Sequence, residues 1–213
     1  MRTRVKICGI TRLEDALAAQ DLGVDAIGFV FVRASKRHIE PQQAAKIAAQ
    51  LSPFLTIVGL FLDAPESQVR SSLRQLPGLL PQFHGNESAE YCEALERPYI
   101  KAIGMGNGMP NMNSLNRYQS ALGFLFDSHP PGSLGGTGEV FDWNQLQTDV
   151  PGSLILAGGL DHSNVAQAVI EVAPQALDVS SGVESAKGIK CAEKLQAFMH
   201  AVGNADRQRL ASL

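Results

Sequence analysis

From end to end the chain alternates between short apolar runs rich in Val, Ile and Phe and longer stretches with apolar residues at i, i+3 and i+4. No other property narrows the choice of folds as far, because a period of two belongs to strands and a period near 3.6 to helices. The runs predict strands at Arg4 to Cys8, Ala26 to Phe31, Thr56 to Phe61, Leu79 to Phe83, Tyr99 to Ala102, Leu122 to Phe126, Leu154 to Ala157 and Ala176 to Val179. Between them the spacing predicts helices such as Leu13 to Leu22, Pro41 to Leu51, Pro65 to Leu76 and Ser163 to Val172. Pro41 and Pro65 stand at or near first helical positions, where a missing N–H costs nothing.

Eight strands, each followed by a helix, call for parallel pairing with right-handed crossovers. A doubly wound open sheet uses the same alternation, but the glycines favour an α/β (β/α)8, or TIM, barrel. They cluster at strand ends, at Cys8-Gly9, Gly104 to Gly108, Gly135 to Gly138, Gly158-Gly159 and Gly182, the end where such barrels place their active sites. One domain over residues 1–213 is expected, with a frayed tail after about residue 203 and no linker.

Hydrophobic residues make up 45% of the chain and charged ones 18%, enough for a sizeable core. The net charge of -3 and the lack of any lysine or arginine run argue against nucleic acid or a membrane surface as partner. Cys8, Cys92 and Cys191 are odd in number and lack CxxC spacing, which supports neither a disulfide framework nor a zinc site. The apolar stretch after Met1 is too short for a secretory signal, and no segment reaches the length of a membrane span. A cytoplasmic protein is expected.

Several motifs carry chemistry. In K-I-C-G-I-T (Lys6 to Thr11) strand alternation puts Lys6 and Cys8 on one face. If Val5 and Ile7 pack on the helices, Cys8 points into the barrel mouth, where its thiolate is a base or nucleophile; alone, a buried strand cysteine is usually structural. In F-L-F-D (Phe124 to Asp127) Leu125 and Asp127 share a face, and the acid either caps the next turn or serves as general acid. Its place after Phe124 and Phe126 predicts a desolvated carboxyl with a raised pKa, protonated when substrate arrives. A bell-shaped pH profile follows, its alkaline limb assigned to Asp127 and its acid limb to Cys8.

G-G-T-G-E-V-F-D-W (Gly135 to Trp143) allows a tight loop at Gly136 but fits neither the dinucleotide fingerprint nor the P-loop. A-G-G-L (Ala157 to Leu160) and D-V-S-S-G-V-E (Asp178 to Glu184) close the last two strands, where many barrels bind phosphate. Gly158, Gly159, Ser181 and Gly182 are the natural donors there, and Asp178 can accept from sugar hydroxyls. R-A-S-K-R-H (Arg33 to His38) is either a solvated basic loop or a carboxylate-holding one. Q-F-H-G (Gln82 to Gly85) ends the fourth strand, and a lone histidine such as His84 is more often structural than catalytic.

Taken together and in this order, these motifs resemble the signature of the phosphoribosylanthranilate isomerases, from Lys6 to Glu184; the pair K-I-C-G-I-T with G-G-T-G-x-x-F-D-W is the most specific part. The resemblance implies a (β/α)8 barrel that catalyses an Amadori rearrangement. N-(5-phosphoribosyl)anthranilate becomes 1-(2-carboxyphenylamino)-1-deoxyribulose 5-phosphate, an aldose–ketose isomerisation needing no metal or organic cofactor. It implies Cys8 as general base, Asp127 as general acid, Arg37 as holder of the anthranilate carboxylate, and the seventh and eighth loops as the phosphate site. A small phosphorylated substrate is the expected partner, and the chain is expected as a monomer or homodimer.

Three positions depart from the family's usual pattern: Asp63 where asparagine is common, Pro81 where leucine is common, and His38 where tyrosine is frequent. None touches the expected base or acid. Two rival readings remain: a lyase or synthase on the same barrel, handling a substrate such as indoleglycerol phosphate, and a sugar-phosphate binder without chemistry. The first normally relies on lysine or paired glutamates at the mouth, and only Lys101 could supply that. The presence of both Cys8 and Asp127 argues against the second. No second glycine-rich phosphate turn is evident for the doubly phosphorylated aminoaldose of histidine synthesis.

Overall fold

The computed structural model describes residues 2–108, 112–130, 141–146 and 150–211. The strands are β1 (Arg4–Cys8), β2 (Ala26–Val30), β3 (Thr56–Phe61), β4 (Leu80–Phe83), β5 (Tyr99–Gly104), β6 (Ala121–Asp127), β7 (Ser153–Leu156) and β8 (Ala176–Val179). Each pairs in parallel with the next, and β8 returns to β1, so the sheet closes. The closed barrel forms rather than the open sheet, and every strand boundary lies within two residues of its expected place.

The helices are α1 (Leu13–Asp21), α2 (Pro41–Ala48), α3 (Glu66–Gln75), α4 (Ala89–Glu93), α5 (Val165–Glu171) and α6 (Ala192–Ala211). Pro41 opens α2 at its first turn, whereas Pro65 stands one residue earlier, at the N-cap of α3. α2 and α3 bury Ala44, Ile47, Val69 and Leu73, the apolar residues whose spacing predicted them.

Three features differ from the sequence reading. Among the described residues β5 and β6 are followed by short 3-10 helices, Met112–Arg117 and Trp143–Gln145, and not by α-helices. Glycine and proline crowd both connections (Gly104, Gly106, Gly108 and Pro110; Pro130 and Pro131), and each disfavours a helical interior. α6 continues past residue 203 to Ala211, because Asp206 on it accepts from both the Thr3 N–H (2.8 Å) and the Thr3 hydroxyl (2.7 Å) in a buried contact. Finally, β8 leads into a small antiparallel hairpin, β9 (Glu184–Ala186) and β10 (Ile189–Lys190), turned at Gly188 with φ +81°.

Alternation along each strand separates two cores. Val5, Ile7, Phe124, Phe126 and Leu156 pack outward with the helices. Ile100, Ala102, Leu125, Ile155 and Ala157 fill the barrel interior. Above that plug, at the carboxyl ends of the strands, Cys8, Val30 and Leu60 form a third apolar group. No helix among the described residues is long and apolar enough to cross a membrane.

Candidate active site

The carboxyl ends of the strands enclose a cleft that opens to solvent. Its walls include Cys8, Arg37, His84, Asp127, Gly158, Gly159, Asp178 and Ser181. Eight residues that the sequence spreads over 174 positions thus share one pocket. Gly136, in the G-G-T-G motif, lies outside the described residues.

Cys8 ends β1 on its inward face, as the alternation requires. Lys6, two residues earlier on that face, is buried and 2.8 Å from Asp178 on β8, its direct register partner. Both the Cys8 sulfur and the Lys6 ammonium press on Gly28 of β2, where an added Cβ would stand 3.0 Å from Sγ and 3.1 Å from Nζ. Burial pushes the Cys8 thiol above its ordinary pKa and Asp178 adds to this, against the pull of Lys6 and Lys190. Burial would lower the Lys6 ammonium, but Asp178 outweighs it and keeps the lysine charged. Lys6 is a site residue the motif reading passed over, although a lysine inside an apolar strand, facing with Cys8, was its visible signal.

Asp127 ends β6 among two imidazoles. His129 Nδ1 stands 3.0 Å from Oδ1, and His84 Nε2 stands 3.9 Å from Oδ2. The rings of His84 and His129 stack at 4.4 Å. Burial raises the Asp127 pKa, but His129 and then His84 outweigh it and hold the carboxyl below its ordinary value. The raised pKa expected from Phe124 and Phe126 is therefore overturned: those rings face the helices, and the carboxyl meets imidazoles instead. His84, which sequence alone favoured as structural, joins the cleft; burial drives its pKa down to about 3, so it is neutral in the resting protein. His129, two positions past Asp127 in F-D-S-H, was missed.

The seventh and eighth loops line the cleft with small residues. Gly158 and Gly159 have φ of +88° and +62°, a backbone only glycine adopts at little cost. A Cβ on Gly158 would also stand 2.5 Å from the Ser128 amide nitrogen. Asn164 ties the Gly159 carbonyl (2.9 Å) and the Asp161 N–H (3.0 Å), fixing the seventh loop. Ser181 faces the cleft, whereas Gly182 is not among the lining residues: it lets the eighth loop lie against Leu160, whose carbonyl a Cβ would overlap.

Arg37 is anchored before any ligand arrives. Its Nε and Nη2 donate to the two carboxylate oxygens of Glu184 at 2.7 and 2.8 Å, the paired geometry of a strong charge-assisted contact. Lys190 reaches the same carboxylate at 2.9 Å. Burial raises the Glu184 pKa, but Arg37 and Lys190 prevail and hold it low. Nη1 is the guanidinium nitrogen that Glu184 does not engage. Neither partner in this triad was singled out from sequence, since the β9–β10 hairpin that joins them was not foreseen.

Lys101 points elsewhere. Its ammonium donates to the carbonyls of Phe83, Gly85 and Ala102 and pairs with Glu87 at 3.1 Å, out of reach of the cleft lining. This removes the residue on which the lyase or synthase reading depended. Glu87 also accepts from the Asp63 N–H, and the Asp63 carboxylate from the Asn86 N–H at 2.6 Å. With φ +46°, Asp63 holds a left-handed position that aspartate and asparagine both tolerate, so its departure from the family pattern is conservative.

A closed eight-stranded barrel with ionisable groups gathered at the carboxyl rim defines the class: this is a (β/α)8-barrel enzyme. The family model described as N-(5'phosphoribosyl)anthranilate (PRA) isomerase matches residues 5–201. A Pseudomonas putida N-(5'-phosphoribosyl)anthranilate isomerase is 50% identical over 202 residues, covering 95% of this chain and 98% of its own. Among solved structures, phosphoribosyl anthranilate isomerase from Thermus thermophilus superposes with a TM-score of 0.86 at 38% identity, over 95% of this chain and 99% of its own. A further isomerase, solved with reduced 1-(o-carboxyphenylamino)-1-deoxyribulose 5-phosphate, gives a TM-score of 0.77 at 34% identity with the same coverage. The chain belongs to the N-(5'-phosphoribosyl)anthranilate isomerase family.

Proposed function

We propose that the cleft isomerises N-(5'-phosphoribosyl)anthranilate to 1-(2-carboxyphenylamino)-1-deoxyribulose 5-phosphate, with Cys8 as base and Asp127 as acid. The observation that carries this reading is that Cys8 and Asp127, 119 positions apart in sequence, line one cleft whose rim also holds Gly158, Gly159 and Ser181. Their amides suit the phosphate, with Gly182 holding the two loops together and Gly136 adding to the cradle. Arg37 receives the anthranilate carboxylate through Nη1, pre-set by Glu184, and Asp178 accepts from a ribose hydroxyl.

Asp127 gives a proton to the furanose ring oxygen, and the ring opens to a cationic Schiff base. That cation makes the C2 hydrogen acidic, so a thiolate suffices to remove it. The resulting enolamine tautomerises to the ketose, and the proton count is unchanged overall. The pocket as it stands favours carboxylate and thiol. The reactive pairing, acid protonated and thiolate free, is therefore a minor tautomer of the same charge state, reached when the Cys8 proton goes to Asp127.

Freshly prepared phosphoribosylanthranilate is the decisive substrate. Its fluorescence should decay with enzyme and the ketose accumulate in equal amount; a decay without ketose would rule the reading out. A cytoplasmic setting suits three unpaired cysteines. We read the assembly as monomer or homodimer, which light scattering decides.

A further inference from the structure

Behind Arg37 the charges do not balance. The Arg37 guanidinium and the Glu184 carboxylate meet at 2.7 and 2.8 Å, a pair that by itself is neutral. Lys190, its side chain wholly buried, brings a second cation onto Glu184 Oε1 at 2.9 Å and donates to the uncharged Ser180 carbonyl at 3.1 Å. Two cations on one anion leave a net charge of +1. The acids nearby do not cancel it. Asp178 is taken by Lys6 at 2.8 Å, and Asp15, which accepts the Lys190 backbone N–H, is held by Arg12 at 2.6 and 3.1 Å. Lys194, exposed, donates to the Glu184 main-chain carbonyl and adds no anion. A surplus charge away from water is costly. Burial lowers the Lys190 pKa against the pull of Glu184, and Arg37 adds to the fall.

We propose that Lys190 makes the Arg37 site an anion receptor: it cancels the charge of Glu184, so that Glu184 fixes the guanidinium while the positive charge of Arg37 stays available to a carboxylate on the ligand's aryl ring. This rests on the function proposed above, in which Arg37 receives the anthranilate carboxylate. Arg37 lines the cleft and Lys190 does not, so Lys190 is a positioning residue that works through Arg37. Geometry and charge come from different partners. The arginine stem lies on Gly9, where an added Cβ would stand 2.5 Å from Arg37 Cδ, and its head is held by Glu184. With Glu184 alone the guanidinium would be fixed but neutralised. With Lys190 present it is fixed and still cationic, and an incoming carboxylate brings the buried cluster to neutrality. The consequence is selectivity for a carboxylated ring over a bare one.

Two stable ligands isolate this effect: reduced 1-(2-carboxyphenylamino)-1-deoxyribulose 5-phosphate and the same amino alcohol with an unsubstituted phenyl ring. The ratio of their dissociation constants, measured by calorimetry, is the carboxylate preference of each protein. Lys190→Met should cut the wild-type preference roughly tenfold, the scale of one unit charge acting over several ångströms in partly buried surroundings. The loss should fall on the carboxylated ligand alone, and Lys190→Arg should restore it. Lys190→Gln, which keeps a donor towards Glu184 but not the charge, takes the place of the Met variant if that one does not fold. An unchanged preference, or equal weakening of both ligands, overturns the role of Lys190. Arg37→Ala tells this failure from failure of the function beneath it. Equal binding of the two ligands by Arg37→Ala supports Arg37 as the carboxylate holder. A preference that survives in Arg37→Ala puts the carboxylate elsewhere and overturns both.

Discussion

The Lys6 ammonium lies 2.8 Å from Asp178 Oδ1 and rests, with the Cys8 sulfur, on the surface of Gly28. A cation that would help Cys8 ionise is thus largely neutralised by its strand neighbour. Replacing Asp178 with Asn removes the negative charge but keeps the shape. The Cys8 pKa should fall, since Asp178 is one of the groups raising it. Thiolate absorbance against pH measures this without turnover, and a Cys8 pKa that is unchanged or higher would contradict the arrangement.

Cys8→Ser keeps the volume and hydrogen-bonding capacity of the side chain while removing a base that ionises in reach of neutral pH. Turnover should drop by about 10² to 10⁴-fold, the usual scale for a general base. The melting temperature should hardly move. Near wild-type turnover in the purified variant would show that another group takes the proton.

The pH profile follows from the two directions found in the cleft. With Asp127 held low and Cys8 pushed high, the fraction of enzyme carrying protonated Asp127 and ionised Cys8 is constant between the two pKa values. The enzyme should therefore show a broad neutral plateau. The acid limb belongs to Asp127 and the alkaline limb to Cys8, the reverse of the assignment expected from sequence. Asp127→Asn cannot donate the proton and should stall ring opening while still binding a reduced, ring-opened analogue. A sharp optimum at one pH, or wild-type turnover by the Asn variant, would refute the scheme.

His84 makes the fold acid-sensitive. Its pKa is about 3 when folded against 6.5 for the free side chain, so the unfolded chain binds the extra proton. Its contribution is fully present above pH 6.5 and is lost as pH falls from 6.5 towards 3, at up to about 1.4 kcal/mol per pH unit. Urea unfolding over that range should show the slope flatten in His84→Gln. Equal slopes in both proteins would mean that His84 titrates normally.

Arg37→Ala should raise KM with little change in kcat if the guanidinium holds the substrate carboxylate equally before and during reaction. It should also destabilise the fold, because Glu184 loses its paired donor and keeps Lys190. The cost is bounded by the about 3–5 kcal/mol of a broken buried pair. Denaturant titration beside kinetics separates the two effects. A large kcat loss at unchanged KM would instead place Arg37 in the transition state.

Much of the site was legible one segment at a time. Strand alternation put Cys8 and Asp127 on inward faces, and small residues after β7 and β8 marked loops that line the same cleft. Gly182 was read as a phosphate donor, yet its lack of a side chain serves the contact with Leu160. Lys101 was left as a candidate for the mouth, yet Glu87 and three carbonyls claim it. In both cases the strand position was right, and the partner came from a neighbouring loop.

By itself the sequence determined the order and type of the eight strands, the faces their residues take and the turns only glycine can make, because these depend on neighbours a few residues apart. The tertiary structure decided protonation and anchoring. Lys6 meets Asp178 only because β8 closes on β1, and Arg37 meets Glu184 across 147 positions only because the β9–β10 hairpin reaches over the rim. The Asp127 pKa falls because the barrel sets two imidazoles beside it and sends the adjacent phenylalanines outward. A side chain's electrostatics are set by what surrounds it in space, and in a closed barrel most of those neighbours are distant in the chain.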